Sequence, residues 1–160
     1  MLMTAQLRRA ILGDVNRLGE LHSAVWTELY ANVLSPEILE ELGPETMGDL
    51  WKRFIFRGDA YVQYVAEVDD EIVGFVGIGP GRESGYETAT ELYFIYVDPA
   101  HRRSGVGRQL LAKADVDYLW IAENNRDSRA FYRKNKFFPD SVAREGALFG
   151  APLAEVRMAR

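Results

Sequence analysis

At 160 residues, with 48% hydrophobic and 27% charged content, the chain has the make-up of a soluble globular protein large enough for one well-buried core. Its net charge of -5 argues against nucleic acid as a partner, and the absence of cysteine excludes disulfides, thiolate metal sites and a cysteine nucleophile. His22 and His101 are the only imidazoles and no spacing pairs them as metal ligands; the apolar runs are too short for a membrane span and the start lacks a signal-peptide core, so the expectation is cytoplasmic, with no metal and no membrane partner.

In chain order, Leu7 to Ala10 reads as a first strand, and Asp14 as the N-cap of a helix to about residue 30, with Val15, Leu18, Leu21, Val25 and Leu29 recurring at helical spacing. His22 and Trp26 lie on or beside that apolar face. Ser35-Pro36 opens a second helix that Gly43-Pro44 ends, and Thr46 to Arg57 forms a third. Residues 60–68 and 72–78, joined by Asp69-Asp70-Glu71, read as a hairpin; after the polar stretch Gly81 to Glu87 a strand runs from about Thr88 to Val97. A helix past Gly107, a strand at Tyr118 to Ala122, a short helix holding Phe131-Tyr132 and a closing hairpin around Phe149-Gly150 complete the chain. The class is α/β: a mixed, mostly antiparallel sheet of six or seven strands flanked by helices, with a central parallel pair joined by a crossover, in a single domain spanning 1–160.

The most informative stretch is Glu91 to Phe137. Pro99 stops the strand near Val97, and Gly105 and Gly107 let a ligand approach the backbone. The amides of about residues 103 to 107 would be the free donors of a helix N-terminus, with Arg102, Arg103 and Arg108 around them: a phosphate-sized anion site. No Gly-Lys-Ser/Thr follows, so this is not a P-loop. Leu110 stands where a dinucleotide fingerprint wants its third glycine or alanine.

Arg102-x-x-Gly105-x-Gly107, preceded by ELYFIYVDP and followed by an LL-containing helix and Asn125-x-x-Ser128-x-x-Phe131-Tyr132, resembles the acyl-CoA signature of the GNAT superfamily of acetyl-CoA-dependent N-acyltransferases. The resemblance reaches nearly the whole chain and implies an acetyltransferase, with acetyl-CoA as donor and coenzyme A as product. It implies a bulge in the Glu91–Val97 strand, the amide of Ile95 polarising the thioester, and Val97 bonding the pantetheine. The diphosphate would rest on Arg102, Arg103, Ser104, Gly105, Val106, Gly107 and Arg108. Asn125 would hydrogen-bond the pantetheine, or cap its helix, or do both. Tyr132 would protonate the departing thiolate, and Glu91 would serve as general base, directly or through water. Trp26, Tyr30 and Glu91 would line the acceptor cleft.

Glu91 lies six residues before Val97, so a regular strand points both to one face unless a bulge shifts the phase. Near a hydrophobic cleft its pKa is expected to rise. Glu28, Glu83, Glu87 and Glu91 are expected to make the cleft negative and to favour a cationic amine, on a small molecule or a protein. The chain departs from the family in a short helix after Gly107 and in Lys136 where glycine is usual; a left-handed helix end there is expected on Lys136 or Asn135, which tolerates it better. Whether the chain is a homodimer, the commonest assembly, stays open. The competing reading is a non-catalytic acyl-CoA-binding regulatory module on the same fold.

Overall fold

The structure, a computed structural model, describes residues 1–160. Strand β1 (Gln6–Arg9) leads through a 3-10 turn (Leu12–Asp14) to helices α1 (Val15–Tyr30), α2 (Pro36–Glu41) and α3 (Pro44–Phe56). Strands β2 (Val62–Val68), β3 (Glu71–Pro80) and β4 (Thr90–Val97) follow, then α4 (Val106–Ala114), β5 (Tyr118–Ala122), α5 (Arg126–Lys134), β6 (Phe138–Leu148) and β7 (Ala151–Ala159). The strands form one seven-stranded sheet in the order β1-β2-β3-β4-β5-β7-β6, antiparallel throughout except for β4 against β5. The predicted mixed sheet with a central parallel pair is what forms. No helix is long and apolar enough to cross a membrane.

Local chemistry explains most boundaries. Asp14 stands at the head of α1 but does not cap it: its carboxylate accepts from the Ile11 amide (2.9 Å) and from Arg8 (2.8 and 2.9 Å), tying the helix start to β1. Pro44 opens α3 rather than closing α2, because a proline at the first helical position loses no hydrogen bond. Asp69 and Asp70 both take positive φ (50° and 63°), giving the tight hairpin its turn. The left-handed residue after α5 is Lys136 (φ 70°), not Asn135, whose amide group instead donates to the Phe131 carbonyl at 2.8 Å.

Each face of the sheet carries its own core. On one side Leu110 and Leu111 of α4, Tyr132 of α5 and Phe137 just beyond it pack against Val76, Leu92, Leu119 and Met158. On the other, α1 and α3 pack Leu18, Leu21, Val25 and Trp51 against Val65 and Phe75. A bulge in β4 changes which residues belong to which side. Gly77 faces Phe94 while Ile78 faces Leu92, leaving Tyr93 as the extra residue. As a result Leu92, Ile95 and Val97 pack toward α4, and Phe94 and Tyr96 toward α1. Gly77 makes room for this: a Cβ there would sit 2.2 Å from the Phe94 ring. The bulge sets Glu91 and Val97 on opposite faces, which corrects the regular-strand expectation.

Candidate active site

Strands β4 and β5 pair only at Glu91–Tyr118 and Leu92–Leu119; beyond that point they diverge and leave an opening. The Asp98 amide donates to the Val73 carbonyl (2.7 Å), so alternation turns the amides of Ile95 and Val97 away from β3 and into that opening. The Val97 carbonyl faces the same way and accepts from Arg102 Nε at 3.0 Å. An unpaired β edge is thus exposed beside the start of α4, a template for one more extended chain.

The turn after β4 is held by its own polar groups. Asp98 Oδ1 accepts from the Ala100 amide at 2.9 Å, and the buried Ser104 hydroxyl donates to the His101 carbonyl. Arg103 and Gly105 adopt φ of 59° and 91°, which aims successive amides outward at the N-terminus of α4. The first backbone bond of α4 comes from Gln109 to Gly105 (3.1 Å), and the amides from Arg103 to Arg108 have no backbone acceptor. Ser104 and Val106 are buried, so they bring amides rather than side chains to the turn. Arg103 and Arg108 are exposed and in no ion pair. Arg102 is committed to Glu28 by two bonds of 2.6 and 2.9 Å across to α1. Gly107 faces α5: a Cβ there would meet the Phe131 ring at 3.4 Å and Val97 at 3.7 Å.

Tyr132 is buried between Phe131 and Phe137, and burial pushes its phenol up. Its hydroxyl makes no hydrogen bond to protein and is not sealed from solvent. Asn125 caps α5, its Oδ1 accepting from the Ser128 amide at 3.1 Å.

Glu91, on the opposite face, is completely buried. It accepts from the Arg82 amide (2.9 Å), the Arg82 guanidinium (2.6 Å) and the Tyr118 hydroxyl (3.0 Å). Burial would raise its pKa, but Arg82's hydrogen bonds and charge, with Tyr118, outweigh burial and hold the carboxyl below its ordinary value. The expected upward shift is therefore reversed. Three of the four glutamates expected to make the cleft negative are neutralised: Glu28 is paired with Arg102, Glu83 with Arg157 (2.9 Å) and Glu91 with Arg82, while Glu87 is exposed and in no ion pair.

Trp26 and Tyr30 lie together on the last turns of α1, ring centroids 4.8 Å apart, with Phe149 of the β6–β7 turn edge-on to Trp26 at 5.9 Å. Two surface hollows of about 260 and 470 Å³ lie elsewhere, around Tyr61 and Gln63 and around Arg8 and Asp14, and neither touches this cleft.

The Acetyltransferase (GNAT) family model matches residues 20–137. The chain belongs to the GNAT family of acetyltransferases. Among curated relatives, it is 29% identical to the uncharacterized N-acetyltransferase YuaI of Bacillus subtilis, over 94% of this chain and 89% of the relative. It is 25% identical to a probable N-acetyltransferase of Mycobacterium tuberculosis, over 84% and 80%. Its fold superposes on the PaiA N-acetyltransferase of Thermoplasma acidophilum, solved with coenzyme A, at a TM-score of 0.72 and 20% identity, covering 99% of this chain and all of that one. A ribosomal-protein-alanine N-acetyltransferase of Brucella melitensis matches with a TM-score of 0.70 at 25% identity, covering 97% and 98%.

In this GNAT chain the residues singled out in sequence fall into two groups. Ile95, Val97, the Arg103–Arg108 turn and Tyr132 gather around the β4–β5 opening on the α4 side. Glu91, Trp26 and Tyr30 belong to the α1 side. Tyr96 and Glu155 escape notice in the sequence, and Phe149 reads there only as part of the closing turn. Tyr96 stands in the middle of the strand motif, packed toward α1 between Ile95 and Val97 of the other side, and burial pushes its phenol up. Neither Glu155 nor Phe149 carries a local signal of a place beside α1; only the closing hairpin brings them there.

Proposed function

We propose that this chain is a one-domain N-acetyltransferase that moves acetyl from acetyl-CoA to a primary amine by direct attack, with both substrates bound together. The observation that carries this reading is the row of free amides at the α4 turn lying beside the unpaired edge of Ile95 and Val97. The turn fits a diphosphate, because its donors are main-chain groups without internal acceptors and a side chain at Gly107 would fill the space against Phe131 and Val97. Arg103 and Arg108, unpaired, would add charge; Arg102 would do so on leaving Glu28. Val97's amide and carbonyl and the free amide group of Asn125 would hold the pantetheine arm.

Acetyl-CoA supplies the activated acyl carbon. The Ile95 amide donates to the carbonyl oxygen as charge develops there, an effect worth about 3–4 kcal/mol for one backbone donor. Tyr132 gives a proton to the departing sulfur; burial keeps the phenol protonated at working pH, while making it a weaker acid than a free phenol. Glu91 takes the proton from the amine, directly or through water. That role requires the half-exposed Arg82 to release the carboxylate, since both its oxygens are engaged. The same saturation of Glu91 is the one observation favouring a non-catalytic acyl-CoA-binding module.

The decisive experiment is an amine panel with acetyl-CoA, reading release of the CoA thiol. Tyr132→Phe is expected to lower turnover by about 100-fold, the typical scale for a positioned acid, while calorimetric CoA affinity stays within a factor of about two. Undiminished turnover in the variant would remove Tyr132 from the chemistry. CoA binding with no turnover on any amine would favour the module.

A further inference from the structure

We propose that the acceptor is a primary amine carried on a short chain from an aromatic ring, entering between the end of α1 and the β6–β7 turn against Trp26, Tyr30, Tyr96 and Phe149. This deepens the acetyltransferase reading and rests on it.

The rings are joined in series. Phe149 meets Trp26 edge-on, Trp26 meets Tyr30, and His22 fills the space behind, 6.3 Å from Trp26 and 5.6 Å from Tyr96. Tyr96 leads to the reacting centre: on β4 it stands between Ile95 and Val97, whose amides face the opening. Rings in such a set offer faces and edges to another ring at centroid spacings of about 5–6 Å.

Two features of the wall go against folding economy. Trp26 Nε1 is buried without an acceptor, a rare state that calls for a functional or structural reason. Phe149 sits at φ 48° in a two-residue turn, where glycine or asparagine is favoured, and it is 55% exposed. A large apolar ring at a strained, exposed tip breaks local preference just where it closes over Trp26, and such breaks concentrate at functional sites.

Charge on this face separates amine classes. Both oxygens of Glu28, Glu83 and Glu91 are engaged, by Arg102, by Trp120 with Arg157, and by Arg82 with Tyr118. Glu155 is different: only its Oε1 is bound, by Arg144 at 2.9 Å, and its charge reaches the Tyr30 phenol. Beside Tyr30 and the aromatic wall, Glu155 Oε2 is thus the carboxylate oxygen left open for one ammonium. A polyamine or a lysine-rich peptide would have to strip arginines from their partners, whereas a single amine on an apolar carrier would not.

The test uses the whole chain with 2-phenylethylamine, spermidine and a lysine-rich hexapeptide, measuring thiol release with acetyl-CoA and calorimetric binding of each amine beside CoA. The expected kcat/KM for 2-phenylethylamine exceeds the other two by about tenfold or more. Phe149→Asn, which suits the positive φ and so preserves the turn, is expected to raise KM for 2-phenylethylamine about tenfold while leaving the CoA Kd in place. Preference for spermidine or the peptide, no binding of 2-phenylethylamine at millimolar concentration, or an unmoved KM in Phe149→Asn overturns the assignment. Binding of 2-phenylethylamine beside CoA without thiol release supports the pocket and sinks the catalytic reading; turnover of spermidine alone does the reverse.

Discussion

The two sides of the sheet offer a ligand different parts of the chain, and on the function we propose they divide the work between donor and acceptor. On the α4 side the donors are main-chain amides, aimed by the left-handed Arg103 and Gly105 and by the divergence of β4 from β5. On the α1 side the groups are side chains: aromatic rings, and glutamates already matched to arginines. Backbone recognition suits a ligand shared by a whole family, because it depends on conformation and tolerates most side-chain changes. Side-chain recognition can be rewritten one residue at a time, which fits the half of the site that chooses an acceptor.

A substitution on the α4 side should break that contrast most severely. Gly107→Glu places a carboxylate beside the free amides, where like charge and bulk both oppose a diphosphate. The added Cβ finds only ordinary contact with Phe131 and Val97, so the fold should survive, with a melting temperature within about 5 °C of the parent. CoA affinity should fall by about 100-fold or more, equivalent to roughly 3 kcal/mol. Unchanged binding in calorimetry would show that the diphosphate rests elsewhere.

How much of each side can be read from sequence follows from the same contrast. Pro99, Gly105 and Gly107 lie within nine residues of one another and report a backbone shape directly, so the turn, the crossover and the parallel pair are legible without coordinates. The bulge at Tyr93 is harder, because β4 alone reads as a regular strand; it becomes sensible only when Gly77 across the ladder is seen to leave room for Phe94. The pairing of Glu28 with Arg102 and of Glu83 with Arg157 spans 74 positions in each case. No local pattern encodes such a match, and counting glutamates without their partners makes the face look more acidic than it is. Phe149 is similar: as a turn residue it is unremarkable until the hairpin delivers it to Trp26.

The next largest effect belongs to the α1 side. Arg82→Ala leaves Glu91 buried and short of its main donor, with only Tyr118 and the main-chain amide of residue 82 remaining. Removing one partner of a buried pair costs about 3–5 kcal/mol, and the half exposure of Arg82 puts this case near 3 kcal/mol. With Arg82 gone, burial becomes the dominant influence and the Glu91 carboxyl titrates upward. Chemical denaturation measures the first consequence. The second is read in the acid limb of kcat/KM, which moves to higher pH if Glu91 is the base and stays in place if it is not.

A smaller effect tests how the aromatic side is built beneath its surface. His22 is buried among Trp26, Trp51, Phe75, Phe94 and Tyr96, and its Nδ1 accepts from Trp51 Nε1 at 3.1 Å. Burial lowers its pKa from 6.5 to about 4, so the folded ring is neutral with Nδ1 bare. A lowered folded pKa means the unfolded chain binds the proton first. Stability from this site is therefore complete above about pH 6.5, declines as pH falls, and is exhausted below about pH 4. The decline amounts to roughly 2–3 kcal/mol over that window. His22→Gln retains an acceptor within reach of the Trp51 indole but cannot titrate, so its denaturation curves should lose this part of the pH dependence while the remaining slope, from carboxylates such as Asp14 and Glu91, persists. If the variant and the parent show the same slope between pH 6.5 and pH 4, the imidazole is not held neutral by its aromatic surroundings, and the support it gives to the Trp26–Tyr96 wall must come from shape alone.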